Sequence, residues 1–329
     1  MQTDNNGQLT FDDTPLWNRF RESFTLIQNG DFAKALKNYN ELIAAGADFP
    51  EIFPLMKCMK YWLSRLEKID KYEPGNERAY YLLSQWNTFE QFLEDKAVGH
   101  VEKLDYIKKA IYDKITKNFI IEFQNADMTN VDLLINLAEA FIEIHDFQKA
   151  RDTLIYALKF RHNDPMIFAL LGEIYYYLND QKKSLLNYRK AFYTDAEQID
   201  LAKLNSPVIN DLKLLAEEKG FINKEINLWI PIYAALNNIF TYKEKLTAKE
   251  YHQLNKKTAK IELKYNMANK SKGRLEPLLI NYYIILIDHY FIIQNETDEN
   301  QFKQKIDTLL RKIKNINETV YNKLRINYE

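Results

Sequence analysis

The residues best suited to chemistry in this chain are five histidines, one cysteine and a run of lysines, and their spacing limits what they can do. His100, His145, His162, His252 and His289 never fall in an HxxxH pair, and Cys58 is the single cysteine. Neither a two-histidine helical zinc site nor a cysteine-rich one is spelled out. Cys58 lies in Leu55-Met-Lys-Cys-Met59, an apolar setting that reads as core rather than nucleophile. Asp288-His289 offers two members of a proton relay, but no nucleophile stands beside them in sequence. A histidine hydrogen-bonded inside a helix bundle is the reading that remains. The closest two of the eight glycines, Gly30 and Gly46, are 16 residues apart, which excludes both a GxxxxGK phosphate loop and a GxGxxG fingerprint. GxSxG is absent as well, and with it the nucleophile elbow. The expectation is a protein that is not an enzyme, with no cofactor and no metal.

Charge points to recognition instead. The 329 residues carry a formal net charge of −1, yet residues 243–274 hold ten Lys/Arg against three Glu, about +7. Lys256, Lys257, Lys260, Lys264, Lys270, Lys272 and Arg274 belong to this segment, with Tyr251 and Tyr265 among them. Such a face can meet phosphates, which makes a nucleic-acid-associated protein the alternative reading. A merely solvated face competes with it, because Lys, Asn and Ile are frequent throughout the chain.

Hydrophobic residues make up 46% and charged residues 28%, with only eight Gly and eight Pro. That composition suits a folded chain of long helices and short turns. Residues 1–11 are polar and acidic, so no secretory signal is expected, and a cytoplasmic location follows as an expectation. The most apolar stretch, 275–293, is interrupted by Glu276, Pro277, Asn281, Asp288 and His289. It reads as a buried helix, not a membrane span.

The elements that would position these residues follow a 34-residue period. Asn136-Leu137-Ala138-Glu139 aligns with Leu170-Leu171-Gly172-Glu173; Phe141 aligns with Tyr175, Ala150 with Ser184, and Ala157 with Ala191. This period is the mark of stacked helix pairs. Three turns share one grammar: Gly30-Asp31, His145-Asp146 and Asn179-Asp180. The first residue ends a helix in the left-handed conformation and the Asp caps the next. Gly220-Phe221 with Trp229 is a weaker copy. Thr14-Pro15, Asp164-Pro165 and Ser206-Pro207 mark helix starts, and Thr247 with Glu250 has capping-box spacing. The helices expected are 15–28, 31–45, 51–69, 76–96, 100–124, 131–144, 147–160, 166–178, 181–203, 207–219, 222–240, 248–268, 275–294 and 298–325, about fourteen in all.

On these residues the chain resembles the tetratricopeptide repeat family. Segment 165–198 supplies Phe168, Leu171, Gly172, Tyr175, Ser184, Tyr188 and Ala191 to that family's motif, with Ala196 where its final Pro stands. Segment 131–164 supplies Leu134, Leu137, Ala138, Phe141, Ala150, Leu154 and Ala157, with His162 at the Pro position. A degenerate copy at 14–46 carries Trp17, Phe20, Phe24, Ala35 and Tyr39, and another spans 206–240. The resemblance implies an all-α, right-handed helical-hairpin solenoid: an N-terminal helical region 1–130, a repeat core 131–240 and a C-terminal helical region 241–329. It also implies a concave groove lined by the first helix of each pair. The lining would be Asp132, Ile135, Glu139, Ile142 and Glu143, then Met166, Ala169, Glu173, Tyr176 and Tyr177. This acidic and apolar set leads to an interaction scaffold for a basic-apolar protein or peptide segment, not an acidic tail. A peptide-sensing regulator is a further alternative, although residues 1–60 show no helix-turn-helix pattern.

Overall fold

The computed structural model describes residues 15–95, 103–125, 129–268, 272–297 and 300–328. Residues 1–11, Thr14 and Lys270 lie outside the described residues. Among those described, the chain forms fifteen α-helices and no β-strand. It divides into two compact units, Met1–Ala157 and Leu158–Glu329, and the division falls inside the segment 131–164.

The first unit contains α1 (Pro15–Gln28), α2 (Phe32–Ala44), α3 (Ile52–Leu66), α4 (Asn76–Asp95), α5 (Leu104–Asn125), α6 (Val131–Glu143) and α7 (Phe147–Ala157). Helices α1 and α2 pack as a hairpin, as do α6 and α7, while α5 packs against α1, α4 and α6. The turns work as their residue types dictate. Gly30 and His145 take φ of +79° and +61°, a conformation that closes a helix end without occupying the next helix. Asp146 then accepts the Lys149 N–H at 3.2 Å. Asp31 departs from the expected grammar: it makes no capping bond and pairs with Lys34 at 3.3 Å instead. Ala35 and Tyr39 are fully buried in the first hairpin, and Ala138, Ala150 and Leu154 in the α6–α7 hairpin. Between the hairpins, Trp62 lies 5.8 Å from Trp86 and 5.4 Å from Phe89, centroid to centroid. Cys58 is buried on α3, and burial pushes its thiol up to about 12.

The second unit contains α8 (Pro165–Tyr177), α9 (Gln181–Asp195), α10 (Pro207–Glu218), α11 (Lys224–Leu236), α12 (Ala248–Met267), α13 (Leu275–Thr297), α14 (Asn300–Ile316) and α15 (Glu318–Leu324). Asp164 caps α8 through the Met166 and Ile167 N–H groups, Asp180 caps α9 through Lys183 N–H, and Thr247 and Glu250 form the capping box of α12. Ser206 precedes Pro207 as expected but makes no capping bond. Two long helices expected from the sequence are shorter. Helix α9 stops at Asp195, because Asp195 and Asp200 accept the N–H groups of Glu197 and Ala202 and begin two 3-10 turns. The expected helix 298–325 is split at Asn317, whose side chain accepts the Val320 N–H and starts α15. Short polar side chains that bond nearby N–H groups compete with helix continuation in this way.

Helices α8 and α9 are in close contact at Gly172. A β-carbon there would lie 2.6 Å from Tyr188 Cδ1, and Ser184 Oγ donates to Gly172 O at 2.7 Å. Helix α13 packs against α9, α11, α12 and α14. It is long and apolar enough to cross a membrane, but most of that apolar stretch is buried inside the fold. Its Asn281 is accommodated by donating to Leu228 O at 2.8 Å.

Candidate functional site

The first-helix faces singled out by the 34-residue period divide into exposed and interior positions. On α6, Asp132 is exposed, while Ile135, Glu139, Ile142 and Glu143 are half-buried. On α8, Met166 and Tyr176 are half-buried and Tyr177 is exposed, but Ala169 and Glu173 are interior. The placement of Glu173 corrects the expectation that it lines a groove. It is 1% exposed, accepts the Tyr188 hydroxyl at 2.5 Å and accepts the Asn205 N–H at 2.8 Å. Because Tyr188 spends its proton on Glu173, Ser206 donates to the Tyr188 oxygen at 2.6 Å. Burial first, then the Glu173 charge, pushes the Tyr188 phenol well up. A carboxyl held this way satisfies the buried groups of two helices and the following loop; it is not a contact for a partner. Outward, α8 offers the Tyr176–Tyr177 pair, whose rings meet edge-on at 5.3 Å.

The α6 carboxylates have company that the sequence did not indicate. Tyr112 of α5 is buried, and burial followed by the charges of Glu143, Glu90 and Glu139 drives its phenol up. Carboxylates from both α4 and α6 therefore act electrostatically on one phenol of α5. Glu90 also accepts the Trp86 indole N–H at 2.8 Å. Lys108 pairs with Glu143, and its ammonium lies 5.9 Å from the Tyr112 centroid. Asn136 donates to the Tyr80 hydroxyl at 2.8 Å, and Tyr80 keeps 48% of its surface exposed. The side chains brought together here are acids, a lysine and an exposed tyrosine, and α6 also carries the half-buried Ile135 and Ile142. No motif spacing announces it, because Glu90 and Tyr80 come from a helix outside the repeat pattern.

In the second unit the basic segment is folded mostly as α12. Lys256, Lys257, Lys260 and Lys264 are exposed on it. Lys272 lies beyond it, 4.2 Å from the Tyr265 centroid, and Arg274 pairs with Glu197. Neither tyrosine is exposed on the basic face, although Tyr265 lies beneath the Lys272 ammonium. Tyr251 shares a hydrogen bond with Tyr290 at 2.7 Å, and Tyr265 is buried.

Asp288 and His289 project from α13 to different partners. Asp288 Oδ2 accepts from Arg189 at 2.5 Å, and its Oδ1 accepts from Tyr328 at 2.6 Å and pairs with Lys243 at 3.2 Å. Removing one partner of such a buried pair costs about 3–5 kcal/mol, so the cluster ties α9, α13 and the flanking loops together. The Lys243 ammonium lies 4.0 Å from the Tyr328 centroid and 4.5 Å from that of Phe291. The adjoining cavity of 320 Å³ is lined by the chain's own cation. His289 instead accepts the Leu246 N–H at Nδ1, 3.2 Å away. Among the described residues, no three His, Cys, Asp or Glu side chains gather as a metal-binding group. No family model matches the chain, and no curated protein matches it in sequence.

Proposed function

We propose that this protein is an interaction scaffold that binds a basic, partly apolar protein or peptide segment. The observation that carries this reading is the meeting of α4, α5 and α6 side chains, where Glu143 pairs with Lys108 beside the Tyr112 ring and Asn136 donates to Tyr80, with Glu90 and Glu139 adding negative charge felt at the Tyr112 phenol. Carboxylates steer a cationic segment toward the face. Tyr80 and the half-buried Ile135 and Ile142 supply contact area once it arrives. On α8, the Tyr176–Tyr177 pair is a second apolar contact for the same class of ligand. The right-handed, tetratricopeptide-like stacking of such hairpins belongs to the same proposal. So does its non-enzymatic, cofactor-free character, and so does a cytoplasmic setting.

The test is fluorescence anisotropy against two peptide sets, one rich in Lys/Arg and Leu, the other rich in Asp/Glu and Leu. The cationic set should bind and weaken as salt rises, because exposed charges are screened. Reversing Glu90→Lys and Glu139→Lys, with circular dichroism unchanged, should lower that affinity more than about tenfold. Preference for the acidic set, or indifference to the reversal, would refute the reading.

A further inference from the structure

Helix α12 has a buried side and a cationic one. Leu254, Thr258 and Tyr265 are buried, and α12 packs on α13. At 3.6 residues per turn, the opposite arc of about 120° collects Lys256, Lys257, Lys260 and Lys264 together with Leu263 and Met267. All six are exposed, Leu263 to 66% and Met267 to 79%. No carboxylate shares the arc. Glu262 is turned inward, where it accepts from Lys312 at 2.7 Å and from Tyr283 at 2.6 Å. Glu250 is held in the capping box. Among the described residues, none of these four lysines pairs with an acid. The arc therefore presents net positive charge, with two large aliphatic side chains one turn apart at its C-terminal end; Glu244 and Glu250 border only its Lys257 edge.

We propose that this face of α12 docks on a membrane surface rich in anionic lipid headgroups. Its lysines would lie among the headgroups, and Leu263 and Met267 would dip toward the acyl boundary. The charge is complementary to an anionic leaflet, and the 20-residue helix is about 30 Å long, enough to lie along it. Lysine stems accommodate this arrangement by keeping the ammonium at the polar level. The exposed aliphatic pair decides between lipid and nucleic acid. Phosphodiester backbones offer Leu263 and Met267 no contact, whereas the interfacial region of a bilayer does. Single-stranded nucleic acid would call for exposed aromatic rings to stack its bases. The tyrosines of this helix are turned inward, Tyr251 to Tyr290 and Tyr265 into the core.

The test is co-sedimentation of the full chain with phosphatidylcholine vesicles, with and without phosphatidylserine. Binding should require phosphatidylserine and fall as salt rises. Lys256→Gln, Lys260→Gln and Lys264→Gln combined should weaken it about 100-fold, roughly fivefold per lysine. Leu263→Ser with Met267→Ser leaves the charge intact and should weaken it about tenfold or more. These side chains are exposed, and an unchanged circular dichroism spectrum establishes that the variants fold. Equal binding to phosphatidylcholine alone, no binding to either vesicle, or vesicle binding indifferent to the Leu263/Met267 change would each overturn the proposal. Binding to duplex DNA or RNA without vesicle binding would overturn it in favour of a phosphodiester partner.

Discussion

Where α8 meets α9, the absence of one side chain sets the distance. Gly172 leaves room for the Tyr188 ring, and an added methyl would stand 2.6 Å from Cδ1. The equivalent pair in α6 and α7 is Ala138 and Leu154, a larger small residue facing a smaller large one. Gly172→Ala should therefore overpack the hairpin and lower stability by about 1–3 kcal/mol, read as the shift of a urea denaturation midpoint. An unchanged midpoint would mean that the ring yields. The small residue at this position was legible from the 34-residue alignment. The role of its neighbour Glu173 was not, because its partners Tyr188 and Asn205 lie 15 and 32 residues away. A glutamate on an amphipathic helix reads as solvated until the groups that capture it are in place.

Turns and helix starts were the most readable elements, since each depends on neighbouring residues alone. Asn179, like Gly30 and His145, adopts positive φ, and the caps at Asp164, Asp180 and Thr247 form as their sequences imply. Ser206 makes no such cap, and its hydroxyl is turned toward the buried Tyr188 instead. The joint between α13 and the loop before α12 should depend on pH. His289 accepts the Leu246 N–H at Nδ1, which needs that nitrogen unprotonated. Burial first, then the charges of Lys245 and Lys305, holds its pKa below the ordinary 6.5. An unfolded histidine protonates at the higher value, so the stabilising contribution is complete above pH 6.5 and is lost as pH falls through the lower folded pKa. The urea midpoint should drop as the solution is acidified below 6.5. His289→Asn, which retains an acceptor without titrating, should flatten that slope; identical slopes would assign the effect to other groups.

At the scale of the whole molecule, the all-helical class followed from composition and periodicity. The candidate site did not, because Glu90, Lys108, Tyr112 and Glu143 lie on α4, α5 and α6, and only the packing of those helices lets their charges act together. Charge is unevenly distributed: residues 243–274 hold about +7 in a chain of −1. Division into two units also gives the single thiol a use of its own. Cys58 is fully buried in the first unit and its thiol is pushed up to about 12, while alkylating reagents attack only exposed thiolate. Labelling at neutral pH is therefore a clock that runs only while α3 is open, and its rate should be far slower than that of the denatured chain. When reclosing outpaces alkylation, that rate reports the free energy of local opening. Gly172→Ala perturbs the other unit, so the labelling rate at Cys58 in that variant reads whether the two units open independently.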